Sequence, residues 1–125
     1  MANSKILVVE DSPTYLRKIA DFLQGLGYEV ITAVDGEEAL EKAVQENPSL
    51  IVLDVILPKK NGFQVCRQLK TSPATQDIKI LMLTSKSQDS DRFWGIKQGA
   101  DDYMTKPYED EELLSNIDTL LHTAA

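Results

Sequence analysis

The sequence predicts an α/β fold, a doubly wound parallel sheet with helices on both faces, from three observations. Short apolar runs rich in β-branched residues alternate five times with segments of helical period. The runs are apolar at consecutive positions, which is typical of parallel strands buried on both faces. The 125 residues contain no repeat, low-complexity segment or linker, so one domain spanning residues 1–125 is expected. Right-handed crossovers would then place helices on both sides of the sheet.

Hydrophobic periodicity predicts the first strand and helix, and two residues suited to a helix N-terminus predict where the helix begins. Residues 6–9 predict a short buried strand, and Ser12 with Pro13 supplies an N-cap and a proline in the first helical turn. Gly27 is suited to end this helix. The predicted apolar stripe of the helix consists of Leu16, Ile19, Ala20, Leu23 and Leu26.

The second strand and helix follow the same plan. Residues 28–33 predict the strand, and Asp35 followed three residues later by Glu38 resembles a capping box. The helix that begins there is expected to end near Asn47 and Pro48. Its predicted apolar face consists of Ala39, Leu40, Ala43 and Val44.

The third strand is predicted at residues 50–53, directly before Asp54. A loop containing Pro58 and Gly62 then leads into a short helix with Phe63, Cys66 and Leu69 at helical spacing. Cys66 is the only cysteine, which excludes an internal disulfide and any multi-cysteine metal site. We interpret it as a core residue.

The last two units are predicted from residue 78 onward. Residues 78–83 predict the fourth strand, residues 89–98 a helix that ends at Gly99, and residues 102–105 a more polar fifth strand. In the fourth helix, Phe93, Ile96 and Ala100 have core spacing. Trp94 is interpreted as a partly buried packing residue, with an interface anchor as the alternative. The fifth helix begins among the acids of residues 109–112 and is predicted to bury Leu113, Leu114, Ile117, Leu120 and Leu121.

The charge of the chain narrows the class of its partners. The formal net charge is -7, which argues against duplex nucleic acid and anionic membranes, because phosphate groups are bound by clustered Lys and Arg. No signal peptide and no apolar run of membrane-spanning length is evident. A cytoplasmic protein is therefore expected.

Polar side chains converge at the carboxyl ends of the predicted strands, where parallel sheets bind ligands. These are Glu10, Asp11, Asp54, Thr84 and Lys106. Taken singly, each residue has an ordinary structural role, such as a helix cap or a solvated lysine. Taken together, they do not, since two carboxylates about 4 Å apart repel by about 4 kcal/mol at a protein surface. A cation is therefore expected among them.

The donor types favour Mg2+ over Zn2+ as that cation, because Zn2+ prefers His or Cys ligands and Mg2+ prefers carboxylates and water. The only histidine, His122, lies near the end of the last helix and is interpreted as solvated. A carboxylate beside Mg2+, with an amine and a hydroxyl to hold oxygens, suits phosphoryl transfer to an aspartate. Asp54 is then the nucleophile.

Four motifs stand at four predicted strand ends. They are the pair Glu10-Asp11, "LDVILPKKNG" at 53–62, "LMLTS" at 81–85 and "GADDYMTKPY" at 99–108. In order and spacing they resemble the receiver domain of two-component response regulators, over the whole chain. The resemblance implies a flavodoxin-like (βα)5 fold with strand order 2-1-3-4-5. It also implies that Asp54 accepts a phosphoryl group from the phosphohistidine of a histidine kinase or phosphotransfer domain.

Carried over residue by residue, the resemblance implies that Asp11, Asp54 and the backbone carbonyl of Ile56 ligate Mg2+ directly. Glu10 would act largely through water, and it stands where the family frequently has aspartate. Lys106 would pair with Asp54 and, after transfer, with a phosphoryl oxygen. These five residues are the expected metal and catalytic set together with Thr84.

The same resemblance implies a switch. Thr84 would move to bind another phosphoryl oxygen, and Tyr103 would swing inward behind it. The peptide bond before Pro107 would be cis, a form found in about 5–6% of X-Pro bonds in folded proteins. Ile56 and Lys86 occupy the two variable positions that tune hydrolysis of the acyl phosphate in the family.

The expected output is protein contact. Most response regulators carry an effector domain, whereas this sequence stops at Ala125 just past the fifth helix, so no effector domain is expected. The contact face would be the fourth helix, fifth strand and fifth helix. "EDSPT" and "DRFWGIKQGADDY" resemble stand-alone regulators of chemotaxis-like pathways that control type IV pilus twitching or phototaxis.

Three other classes of protein fit the sequence less well. A haloacid-dehalogenase-type phosphatase has a second acid two residues after its nucleophile, where this chain has Ile56. A nucleotide-binding domain needs a glycine-rich loop after the first strand or a P-loop, and the sequence has neither. A receiver-like binding module that acts without phosphorylation is the remaining alternative, and retention of the whole set of polar residues argues against it.

Overall fold

The computed structural model describes residues 4–122. Five parallel strands form one sheet in the order β2-β1-β3-β4-β5. The strands are β1 (Lys5–Val9), β2 (Glu29–Ala33), β3 (Leu50–Leu53), β4 (Lys79–Thr84) and β5 (Asp102–Thr105). The helices are α1 (Pro13–Gly25), α2 (Gly36–Glu46), α3 (Gly62–Lys70), α4 (Asp89–Lys97) and α5 (Asp110–His122). The fold class and the strand order are confirmed.

Each strand buries alternate side chains on opposite faces of the sheet. Leu7 and Val9 of β1 belong to a core that α2 and α3 cover, whereas Ile6 and Val8 belong to a core that α1 and α5 cover. Because both faces are covered, β3 is buried at every position. This accounts for its sequence, which is apolar without alternation.

The register of the strands brings their carboxyl ends to one edge. Val9 pairs with Leu53 across β1 and β3, and Thr84 pairs with Thr105 across β4 and β5. The residues that follow are held by the same network, since the Asp54 N–H donates to the Val9 carbonyl at 3.1 Å. The polar residues predicted at the strand ends therefore share one edge of the sheet.

Most element bounds agree with the sequence predictions, and the helix starts were partly right. The predicted strands at 50–53 and 102–105 match β3 and β5. The Ser12 hydroxyl accepts from the Tyr15 N–H at 3.4 Å, as an N-cap should. The predicted box at α2 is incomplete, because the Glu38 carboxylate accepts from the Val34 N–H at 2.8 Å and not from the cap residue itself.

Five side chains predicted to be buried are instead exposed by 36–64%, and that prediction was wrong. Two of them, Val44 and Leu114, lie one step around the helix from the buried Ala43 and Leu113, so they point away from the core. The others are Leu26, Phe93 and Ile96. Leu26 is the C-cap of α1, and the two residues of α4 are exposed because that helix packs through a glycine.

The glycine is Gly95, which is buried where α4 crosses the sheet. A Cβ at this position would lie 2.8 Å from the Met82 Sδ and 2.9 Å from the Tyr103 ring. Such distances mean that the backbone of α4 rests directly on these two side chains. Trp94, 50% exposed, is accordingly a half-buried residue, while Cys66 is fully buried as predicted.

The described residues contain no helix with the length and hydropathy to cross a membrane. The longest helices among them, α1 and α5, have 13 residues each.

Gly62 closes the loop that follows β3 and is needed there for steric reasons. Its N–H donates to the Val55 carbonyl at 2.8 Å. A Cβ on Gly62 would collide with the Asp54 carbonyl oxygen and lie 2.7 Å from the Val55 Cα. These are backbone atoms, which cannot move aside as a flexible side chain can.

We therefore predict that Gly62→Ala lowers the free energy of unfolding by about 1–3 kcal/mol through overpacking. Gly25→Ala is the matched control, since a Cβ there meets nothing within 4 Å. It should be neutral or stabilising by up to about 1 kcal/mol, because alanine favours a helix over glycine. Urea unfolding followed by circular dichroism measures both. Equal midpoints for the two variants would contradict a steric requirement for Gly62.

Candidate functional site

Four of the five predicted polar residues, all except Thr84, line a cleft of about 380 Å³ at the carboxyl edge of the sheet. Glu10 and Asp54, which follow β1 and β3, form its floor and are 2% and 5% exposed. Asp11 is exposed at the rim. The residues that line the cleft are Glu10, Asp11, Ser12, Tyr15, Asp54, Ile56, Ser85, Lys106 and Pro107.

Lys106 joins the two buried carboxylates. Its Nζ donates to the Glu10 carboxylate and lies 2.9 Å from Oδ2 of Asp54. The side chain of Lys106 is only 7% exposed. Its backbone N–H donates to the Thr84 carbonyl at 2.8 Å, and its peptide bond to Pro107 is cis, as the resemblance implied.

The pKa values of this group follow from burial and pairing. Desolvation raises the pKa of Glu10, and this outweighs the opposing hydrogen bonds from Lys106 and the Ser12 N–H. For Lys106, burial alone would lower the pKa, but the bonds to Glu10 and Asp54 outweigh burial and leave the pKa raised. Lys106 is therefore an ammonium at neutral pH.

Three carboxylates and one ammonium leave the cleft with excess negative charge. Oxygens of Glu10, Asp11 and Asp54 lie within 4.8 Å of one another. The second Asp54 oxygen, Oδ1, accepts from the Ile56 N–H at 3.1 Å, which fixes the carboxylate between the loop and Lys106. Hard oxygen donors beside an open cleft fit Mg2+, which keeps several waters when bound to proteins.

Thr84 and Tyr103 lie beside this cluster, on β4 and β5. The Thr84 hydroxyl is buried and accepts from the Lys86 N–H at 3.4 Å. Tyr103 is 2% exposed, and its hydroxyl donates to the Lys86 carbonyl at 2.7 Å. The ring predicted to swing inward thus already lies inward in this structure, with the Arg92 guanidinium 5.4 Å from its centroid.

Tyr15 is a site residue that was not predicted from the sequence. The Lys106 Nζ lies 4.1 Å from the centroid of the Tyr15 ring, so the ring covers the ammonium on the α1 side. The Tyr108 ring packs 6.5 Å away from it, and Lys18 lies 4.6 Å from the centroid of Tyr108. The available signal was the position of Tyr15 in the first turn of the helix that follows the acidic pair.

The pattern that defines the response regulator receiver domain family matches residues 6–118. Protein PilH of Pseudomonas aeruginosa is 40% identical over 94% of this chain and 98% of its own length. The alkaline phosphatase synthesis transcriptional regulatory protein PhoP of Bacillus subtilis is 48% identical over 95% of this chain. The chain spans about half the length of PhoP, 49%.

Solved structures agree with these relatives. Chemotaxis protein CheY4 of Vibrio cholerae superposes with a TM-score of 0.89 at 34% identity, covering 95% of this chain and 99% of CheY4. The receiver domain of sensor histidine kinase PA1611 from Pseudomonas aeruginosa, with a magnesium ion coordinated in its active site cleft, gives 0.90 at 29% identity. That match covers 98% of this chain and 100% of the PA1611 domain.

The chain therefore belongs to the receiver domains of two-component response regulators. These are signalling domains that act through phosphorylation, interact with histidine kinases, and generally bind Mg2+ at an acidic pocket. The neighbours of this chain include receivers of the chemotaxis and pilus type.

Two buried tyrosines near the cleft give opposite predictions on removal of the hydroxyl. The Tyr108 Oη is buried without a hydrogen-bond partner among the described residues, whereas the Tyr103 hydroxyl is bonded. We expect Tyr108→Phe to raise the free energy of unfolding at pH 7 by about 1 kcal/mol, and Tyr103→Phe to lower it by a similar amount.

The pH dependence gives a second readout. Burial raises the pKa of both phenols to about 12 from 10.0, so the phenols ionise first in the unfolded chain and the stability of the parent falls as the pH rises from 10 to 12. Each phenylalanine variant should lose less stability than the parent over that range. Destabilisation by Tyr108→Phe at pH 7, measured by urea unfolding, would contradict the unsatisfied hydroxyl.

Proposed function

We propose that Asp54 is phosphorylated by the phosphohistidine of a histidine kinase or phosphotransfer domain, in a Mg2+-dependent reaction, and that this controls protein contact. The observation that carries the proposal is the fixed position of the Asp54 carboxylate. One oxygen is bonded to Lys106 and the other to the Ile56 N–H, within a cluster of acids that opens to a cleft. The family and its relatives support the same reaction.

In the proposed reaction a carboxylate oxygen of Asp54 attacks phosphorus. An oxygen–phosphorus bond forms, the nitrogen–phosphorus bond of the donor breaks, and the imidazole leaves with a proton from solvent. Lys106 stays paired with the site and holds a phosphoryl oxygen, and Thr84 donates to another. When bound, Mg2+ would neutralise charge that builds up on the transferring group. The protein otherwise contributes positioning.

The metal ligands we propose are Asp11, Asp54 and the backbone carbonyl of Ile56, with Glu10 acting through water. Both Glu10 oxygens are already engaged, one with Lys106 and one with the Ser12 N–H. Glu10 is therefore better placed to hold the ammonium than to ligate a metal directly. Asp11, which is exposed at the rim, has its oxygens available to a hydrated ion.

We further propose that Thr84 and Tyr103 pass the phosphorylation state to the face made by α4, β5 and α5. Both residues are bonded to the backbone of Lys86, Thr84 to its N–H and Tyr103 to its carbonyl. A shift of Thr84 toward a phosphoryl group would break one of these bonds and move the loop before α4. The change is a shift between two populated arrangements.

The position of Tyr103 favours a second candidate, a receiver-like module that binds partners without phosphorylation. The ring is inward and hydrogen-bonded with Asp54 unmodified, so the contact face could be formed in advance. We rank the binding module second, because a module that acts without phosphorylation would not need hydrogen bonds to both carboxylate oxygens of Asp54.

We also propose a cytoplasmic, stand-alone regulator in a chemotaxis-like pathway of the type IV pilus or phototaxis kind. Support comes from the match to PilH over 98% of its length. Ile56 and Lys86, at the two variable positions, would tune the lifetime of the phosphate. Ile56 is 50% exposed and lines the cleft.

Incubation with Mg2+ and acetyl phosphate, followed by intact mass spectrometry, tests the proposal. We expect the parent chain to gain the mass of one HPO3 group, which is lost in mild base as acyl phosphates are. Asp54→Asn should gain none, and EDTA should abolish the gain in the parent. Asp118→Asn, an exposed acid on α5, is the matched control and should behave as the parent does. Equal labelling of Asp54→Asn would rule out this site.

A further inference from the structure

Helix α4 carries large apolar side chains that the core does not use. The helix is buried through Gly95, whereas Phe93, Trp94 and Ile96 are 64%, 50% and 47% exposed. Three such residues on one nine-residue helix expose apolar surface to water, which is unfavourable in free energy. Contiguous apolar surface of this kind marks interaction sites in soluble proteins.

Trp94 faces α3 across a surface groove of about 430 Å³, here named the α3–α4 groove. Phe63 of α3 and Trp94 of α4 supply its apolar walls. Its remaining lining is polar and includes the side-chain amides of Gln64, Gln68 and Gln98. None of its lining residues belongs to the acidic cleft. The groove is therefore a separate surface.

Arg67 is the one charged side chain among the residues that line the groove, and its charge is opposite in sign to the net charge of the chain. The chain has a net charge of -7, but α3 contains no acidic residue and places Arg67 in the groove. Within residues 4–122, Arg67 has no ion pair, whereas Lys97 lies outside the groove lining, with its ammonium 5.7 Å from the centroid of the Phe93 ring. Arg67 is free to pair with a partner that binds in the groove.

The groove lies between two helices, which favours a helix as its occupant. Helices α3 and α4 have nine residues each, so each helix is about 13 Å long, or about two and a half helical turns. Helices that bind such grooves place apolar anchors one turn apart against the walls. Carboxylates beside those anchors would meet Arg67.

We propose that the α3–α4 groove binds an amphipathic helix of a partner protein with acidic residues flanking its apolar stripe. Trp94 is the central anchor, and Arg67 selects the charge of the partner. Trp and Arg are among the residues most enriched at positions that dominate binding energy. This surface goes beyond the phosphorylation proposed above, because it needs no phosphate on Asp54.

A synthetic amphipathic peptide tests the proposal, with leucines at i, i+4 and i+7 and glutamates beside them. Trp94 is the only tryptophan of the chain, so its emission should shift to the blue as the peptide covers it. With a labelled peptide, we expect Trp94→Ala to weaken binding about 30-fold. Arg67→Glu should weaken it about fivefold, as expected for an exposed ion pair.

Three controls distinguish specific binding in this groove from adhesion of the peptide to any exposed apolar side chain. Val44→Ala removes an apolar side chain of α2 that is 61% exposed and should leave binding unchanged. A peptide with lysines in place of glutamates should bind at least about tenfold more weakly. The parent chain should bind the peptide without any phosphodonor present, so failure of the phosphorylation proposal would leave this result intact.

Four results would overturn the proposal. They are no saturable binding of the acidic peptide, equal binding of the lysine peptide, unchanged affinity of Trp94→Ala, and burial of Trp94 by self-association in sedimentation experiments. Circular dichroism of each variant confirms that it is folded before binding is measured.

Discussion

The ammonium of Lys106 between the carboxylates of Glu10 and Asp54 is the interaction on which the site depends. Each of these ions would cost several kcal/mol to bury alone, so none is stable in this position without the others. They come from three different strand ends, and all three side chains are at most 7% exposed. With Asp11 included, the cluster has one positive and three negative charges, and the deficit is what a divalent cation would supply.

The apolar sheet holds this cluster in position. β1, β3 and β4 are buried along almost their whole length, and their carboxyl ends are in register. The loop after β3 can then turn sharply at Gly62 and leave Asp54 bonded to Lys106 and the Ile56 N–H. On the far side, the Tyr15 ring covers the ammonium. The carboxylate is thus rigid on the side of the protein and open only toward the cleft.

Much of this arrangement could be predicted from the sequence because it depends on chain order. Consecutive apolar residues define buried parallel strands, and parallel strands bring the residues that follow them, such as Glu10, Asp54 and Lys106, to one edge. What depends on close tertiary contact could not be predicted. A prediction from hydrophobic periodicity assigns large apolar residues such as Phe93 to the buried face of a helix. In α4 the buried face is instead set by the close approach of Gly95 to Tyr103.

Because the cluster has this charge deficit, this edge of the sheet should bind a divalent cation through Asp11 and its neighbours. Thermal unfolding with and without MgCl2, against NaCl at the same ionic strength, measures that binding. We predict that Mg2+ stabilises the parent chain, by about 2.7 kcal/mol at one hundred times the dissociation constant. The exposed-acid control Asp21→Asn should keep this stabilisation, and Asp11→Asn should lose most of it. Equal stabilisation of Asp11→Asn and the parent, or none in either, would show that the acidic cluster does not bind the ion.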